Sequence, residues 1–173
     1  ELVSLPAVYM DVEDYPKFKD REKFLYYCVW ADTKHLTNRY FHMPALRTQI
    51  LGVQLYHEKA KGFLHWGYNF YNAQLSKKTV NPYEDCTAGG GFVAGDSFLV
   101  YPGKEDVEYS LRYFEILKAF EDYRLLKALE EKIGREQVDE LLKEMNYTDL
   151  HEYNREEENY LKLKMNIYSL FVC

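Results

Sequence analysis

GFLHWGYNFYN, residues 62–72, carries five aromatic rings in eleven positions: Phe63, Trp66, Tyr68, Phe70 and Tyr71. Its first half, GFLHWG, reads as a strand. Its second half mixes rings with Asn69 and Asn72 and reads as the exit from that strand. Just upstream, Pro44 opens a helix, PALRTQILGVQLYHEKAK, at 44–61. Leu46, Ile50 and Val53 share one face of it, and Leu51 and Leu55 widen that face. Lys59 and Lys61 suit the negative end of the helix dipole, and Gly62 is expected to cap it. Before that helix, FLYYCVW at 24–30 is apolar throughout, as in a strand covered on both faces. A polar loop, ADTKHLTNRYFH, joins the two. LPAVYM at 5–10 is a third apolar run. Pro16 then favours a short helix near 15–22. Strand followed by helix, repeated, predicts parallel strands with helical crossovers.

Downstream of the opening stretch, residues 73–96 form a long loop with Pro82 and three consecutive glycines at 89–91. SFLVYP at 97–102 is a further extended piece. Ser110 is placed to cap a long helix over about 110–133, which Gly134 ends. Leu111, Phe114, Leu117 and Phe120, then Leu125 and Leu129, are its expected packing face. Two more helices follow near 135–145 and 153–171. The second carries Tyr160, Lys164, Ile167 and Phe171 on one side.

The totals narrow the function classes. The chain has 173 residues, 47% of them hydrophobic, with a formal net charge of −6. That length predicts one domain or part of one. The negative charge argues against a nucleic-acid partner, whose phosphates want a basic face. No apolar run is long enough for a membrane-spanning helix, so no membrane partner is expected. No signal peptide is visible. Cys28, Cys86 and Cys173 are far apart and read as free thiols, which fits a cytoplasmic location. Aromatic residues reach 17%, with 17 Tyr. Tyr joins a flat apolar face to a hydroxyl and suits a wet, apolar cleft.

In parallel α/β folds, ligands meet the loops that follow the C-terminal strand ends. Those loops hold Asp11, Glu13 and Asp14, then Trp30, Asp32, His35, Asn38 and Arg39, then Trp66, Tyr68, Asn69, Tyr71 and Asn72. Rings beside planar amides and carboxylates suit a sugar. Its apolar face stacks on a ring, and its hydroxyls need donors and acceptors. Core packing competes for the rings, and turn formation competes for the Asn. The acids of DVED fit a helix start better than acid/base chemistry. His35, His42 and His65 have no metal-ligand spacing. Cys28 lies in an apolar strand, where a thiol is inert packing. AGGGF precedes an extended segment, the wrong order for a phosphate cradle, and reads as a flexible loop.

The ordered segments NRYFHMPALRTQILGVQLY, GFLHWGYNFYN, GDSFLVYPG and SLRYFEILKAFEDYRLLKAL, spanning about 24–130, carry a resemblance. They are similar to the C-terminal part of bacterial proteins related to glycoside hydrolase family 123, also labelled domain of unknown function 4091. The resemblance implies an α/β fold: the last strand–helix units of a (β/α)8 TIM barrel over residues 1–133. A helical extension over 134–173 would pack on it. It implies substrate-assisted retention on an N-acetyl-β-galactosaminide, with an Asp orienting the acetamido group and an adjacent Glu as acid/base. No such pair follows a strand here. Glu13-Asp14, Glu84-Asp85, Glu121-Asp122 and Asp139-Glu140 all stand elsewhere. The pair is therefore expected outside this chain, and the piece alone is expected to be inactive. Trp30, Trp66, Tyr68, Asn69, Asn72 and Asp96 carry over as a carbohydrate-binding wall. Arg39 and Arg47 either join it or pair with neighbouring acids. No cofactor or metal is implied. Three strands cannot close a barrel, so self-association or pairing with a missing N-terminal part is expected. A small non-catalytic carbohydrate-binding or interaction module is the alternative.

Overall fold

The computed structural model describes residues 5–9, 13, 15–27 and 34–172. Trp30, Asp11, Asp14, Asp32, Cys28 and Cys173 therefore lie outside the described residues. The fold is mixed α/β. Strands β1 (Ala7–Tyr9), β2 (Lys23–Tyr27) and β3 (Ala60–His65) form a parallel sheet in the order β1-β2-β3. Helix α1 (Ala45–His57) crosses from β2 to β3. Strands β4 (Val100–Pro102) and β5 (Val107–Tyr109) make an antiparallel hairpin, and helices α2 (Leu111–Ile133), α3 (Arg135–Glu144) and α4 (Glu157–Val172) follow. The expected short helix near 15–22 is a single 3-10 turn, Tyr15–Phe18.

Gly62 does not cap α1. The helix ends at His57, and Lys59 takes a φ of 56°, a left-handed turn that starts β3 at Ala60. Gly62 lies inside β3 opposite Phe24, whose ring a Cβ there would meet at 2.6 Å. The glycine is thus needed for ring packing, not for a positive φ.

One sheet face is covered. Val8, Leu25 and Ala60 are buried with Leu51 and Leu55 of α1 and Ile116 and Ala119 of α2. The other face is open among the described residues, contrary to the expectation from the apolar run of β2. Phe24 is 46% exposed and Leu64 58%, while Tyr9 and Tyr26 stack beside them at 5.4 Å. A second core joins α1 and α2 to the C-terminal helices: Ile50, Val53, Leu126 and Leu129 meet Val138, Leu142, Tyr160, Leu163 and Ile167.

Helix α2 departs in part from its expected face. Ser110 caps it by accepting from the Tyr113 N–H at 3.2 Å, and Gly134 ends it. Of that face, Leu129 is buried and Phe120 and Leu125 pack partly against the cores, but Leu111, Phe114 and Leu117 are exposed, and Ile116, Ala119 and Leu126 are the other packed side chains. Where α1 crosses α2, the backbones touch at Gly52 and Ala119.

At the N-terminal end of the sheet, the fully buried Lys23 ties three elements together. Its amine donates to the carbonyls of Phe18 (2.9 Å), Lys19 (2.9 Å) and Glu58 (2.6 Å), and pairs with the Glu58 carboxylate at 3.5 Å. The Tyr15 hydroxyl donates to the same carboxylate at 2.6 Å. Burial pulls the Lys23 amine below the usual lysine range, with Glu58 opposing the shift.

Candidate functional site

The C-terminal end of β3 gathers most of the residues singled out by the sequence. Strand pairing sets Tyr27 beside His65, the last residue of β3. Trp66 follows, with its ring 4.9 Å from Phe92 and 5.4 Å from Phe70. Phe92 arrives from the glycine run. That run is a closed turn: Asp85 accepts from the N–H groups of Thr87 and Gly89, each at 2.8 Å, and Gly89 and Gly90 take positive φ. Trp66 Nε1 is buried and has no hydrogen-bond partner among the described residues, as is Nδ2 of Asn38. A buried donor without an acceptor is costly, so such atoms mark places where a ligand or water completes the network.

After Trp66 the chain doubles back along residues 97–99. Phe70 N donates to Ser97 O at 3.0 Å, Leu99 N donates to Tyr68 O at 2.8 Å, and Asn69 bridges Phe98. This approach requires Gly67, since a Cβ there would meet Asp96 O at 2.6 Å. Tyr68 and Asn69 are exposed on this segment, and Asn72 is half-buried, bridging Thr79. Tyr71 turns inward and donates its hydroxyl to Val100 O at 2.8 Å. Asp96 is almost fully buried, near enough to Arg112 for its charge to be felt there. The structure thus brings Trp66, Tyr68 and Asn69 to one strand exit and sets Asp96 beneath it. Trp30 lies outside the described residues.

Two arginines hold this end together. Arg39 NH2 meets His65 Nδ1 at 3.3 Å, and its guanidinium lies 5.3 Å from the Phe63 ring centre. Arg112 donates to the carbonyls of Arg39 (3.0 Å), Phe98 (2.7 Å) and Gly95, and lies over the Phe41 ring at 4.5 Å. Burial pulls Arg112 down to about 10, with Arg39 adding to the effect. His65 is held well below its usual range, first by burial and then by the charges of Arg39 and Arg112. It is therefore neutral. Arg47 pairs with no acid among the described residues: it donates to the Tyr153 hydroxyl at 3.0 Å and to Leu36 O. Arg112 and Phe92 escaped the sequence reading. Each acts on partners far along the chain, and no spacing rule announces that.

Asp85, Asp122 and Asp139, one member each of three of the acidic pairs, serve the fold, while Asp14 lies outside the described residues. Asp122 takes the Tyr160 hydroxyl and the Lys164 amine, the latter at 2.7 Å. Asp139 takes Arg135 at 2.8 Å, and Asp85 builds the glycine turn. Among the described residues, no group of His, Cys, Asp and Glu is arranged to hold a metal ion, and no helix is long and apolar enough to cross a membrane.

A parallel strand–helix fold with rings gathered at the exit of β3 puts a candidate binding site where α/β enzymes carry theirs. The family described as "Glycoside hydrolase 123, catalytic domain" matches residues 3–129. The chain belongs to glycoside hydrolase family 123. No curated protein matches it.

Proposed function

We propose that the chain is the C-terminal strand–helix part, residues 1–133, of a (β/α)8 glycosidase barrel, with residues 134–173 as a helical extension packed on it. The β3 exit then forms one wall of a site for an N-acetylhexosaminide, processed by substrate-assisted retention, and the Asp-Glu pair comes from an earlier strand. The observation that carries the sugar reading is Trp66: a ring caged by Phe92 and Phe70 at a strand end, with a buried Nε1 that has no acceptor among the described residues. A sugar offers an apolar face to such a ring and hydroxyl oxygens to such a donor. Tyr68, Asn69 and Asn72 supply further polar contacts beside it, and Asp96 supports it from below; Trp30, expected in the same wall, lies outside the described residues.

The open face of the sheet supports the barrel reading. Parallel sheets are covered on both sides, yet Phe24 and Leu64 face solvent here. Earlier strands of the same barrel would bury them, and a second copy of the chain is the competing cover. The acids bound up in structural contacts favour one alternative, a non-catalytic carbohydrate-binding module. Two experiments separate these readings. Wild-type chain and Trp66→Ala are titrated with N-acetylgalactosamine by calorimetry, and binding lost in the variant supports the site. A longer form of the natural polypeptide is assayed with a chromogenic N-acetyl-β-galactosaminide. Hydrolysis supports the barrel reading, and binding without hydrolysis leaves the module.

A further inference from the structure

Several tyrosines spend their hydroxyls on the fold. Tyr15 donates to Glu58, Tyr71 to Val100 O, Tyr123 to Ala60 O and Tyr160 to Asp122. Tyr68, Tyr109 and Tyr113 differ: among the described residues their hydroxyls donate to no protein group, and Tyr68 (43%) and Tyr109 (51%) are well exposed.

These residues are held in fixed relation. Tyr109 ends β5, Ser110 caps α2, and Tyr113 gives its N–H to that cap at 3.2 Å. The two rings lie 4.5 Å apart, tilted by 32°. Phe114 stands edge-on to Tyr113 at 5.6 Å and buttresses the pair. Tyr68 leaves β3 two positions after Trp66. Leu99, the residue before β4, gives its N–H to the Tyr68 carbonyl at 2.8 Å and takes the Ser110 N–H at 3.4 Å, which sets Tyr68 beside the hairpin; Asp106 lies in the turn of that hairpin.

We propose that Tyr109 and Tyr113, with Tyr68 and Asp106 beside them, form a second binding surface for the outlying residues of an extended neutral glycan. It rests on the carbohydrate reading above and lengthens that site. Rings with free hydroxyls at their edges and a carboxylate close by match a pyranose, which needs both a flat apolar contact and hydrogen-bond partners. Bare rings would also stack on nucleic-acid bases, but Glu105, Asp106 and Glu108 crowd the hairpin with negative charge and repel phosphate. The same charge disfavours an anionic lipid surface. The position of Tyr68 gives the direction: a glycan held at Trp66 extends past Tyr68 toward the hairpin.

The full chain is titrated by calorimetry with two probes: N-acetylgalactosamine, and a neutral tetrasaccharide ending in β-linked N-acetylgalactosamine. Tyr109→Ala and Tyr113→Ala should each weaken the tetrasaccharide about tenfold and leave the monosaccharide unchanged. Tyr113→Phe keeps the ring and should lose only a few-fold. Unchanged melting temperatures exclude misfolding as the cause. If both Ala variants bind the tetrasaccharide like wild type, the surface is overturned and the Trp66 site stands. If the wild type binds neither sugar, both readings fall. If Tyr109→Ala alters only the oligomeric state, the rings are a protein interface and the proposal is wrong.

Discussion

Replacing Gly52 by Ala should destabilise the chain, although Ala is the better helix former. In the middle of α1 the exchange would ordinarily gain about 1 kcal/mol. Here a Cβ would sit on the Ala119 carbonyl of α2, 2.5 Å from its carbon and 3.0 Å from its Cα. The carbonyl oxygen itself would lie 1.7 Å from that Cβ, against an ordinary contact of 3.4–4 Å, so the helices must part by roughly 2 Å. The obstacle is backbone, which cannot swing aside as a side chain would. Parting the helices also loosens Leu51, Leu55, Ile116 and Ala119 in the first core, and Ile50, Val53, Leu126 and Leu129 in the second. Overpacking of this kind costs about 1–3 kcal/mol, and the backbone contact puts it at the upper end. The net loss should be about 2 kcal/mol, or a drop of roughly 4–8 °C in melting temperature for a chain of this size. Urea unfolding of wild type and variant measures it, with a Gly90→Ala control, where no neighbouring atom lies within 4 Å although φ is +80°. A Gly52→Ala protein as stable as wild type, or more so, would refute the close crossing of α1 and α2.

Three further outcomes follow from the buried polar groups. Lys23→Met removes the cation facing Glu58, itself almost wholly buried, and should cost about 3–5 kcal/mol in urea unfolding. Restoring stability with a second change, Glu58→Gln, would identify the stranded carboxylate as the cause. Tyr160→Phe removes the hydroxyl bound to Asp122 and should cost about 1–3 kcal/mol by the same measurement, while leaving Lys164 on the carboxylate. Stability should also fall below pH about 6.5. His57 and His65 both have folded-state values depressed chiefly by burial, so in that window the unfolded chain binds more protons than the folded one. Their contribution is complete above 6.5 and is lost as pH drops toward the folded values, by up to about 1.4 kcal/mol per pH unit for each histidine. His57→Gln should flatten the acid limb of a denaturation series.

The order of strands and helices was legible because each has a local cause: apolar runs for β2 and β3, Pro44 before α1, Ser110 and Gly134 at the ends of α2. The packing face of α2 was legible only in part: Phe120, Leu125 and Leu129 pack, but the N-terminal Leu111, Phe114 and Leu117 do not. Leu111, Phe114, Leu117 and Phe120 repeat every three residues, and each step turns about 60° short of a full circle. Such a row winds around the helix and names no single side. The true face runs through Ala119, too small to stand out in a hydrophobic pattern but necessary where α1 comes closest. Strand β5 was hidden because VEY is short and lies among charges. At the candidate site, Trp66, Tyr68 and Asn69 could be read from their place after a strand. Arg112 could not, since its partners are backbone carbonyls of Arg39, Gly95 and Phe98, and a carbonyl leaves no trace in residue identity.

The second core has a practical consequence for anyone trimming this protein. The family match ends at residue 129, four positions before α2 does. Leu126 and Leu129 lie in that last stretch, wholly buried against Val138, Leu142 and Leu163. A gene cut at the end of the match would sever a helix in its final turn and bare these leucines. It would also leave Gln54 without Asp149 O, its acceptor at 2.9 Å. Expression trials should therefore treat α3 and α4 as inseparable from the strands, and place any C-terminal cut beyond α4.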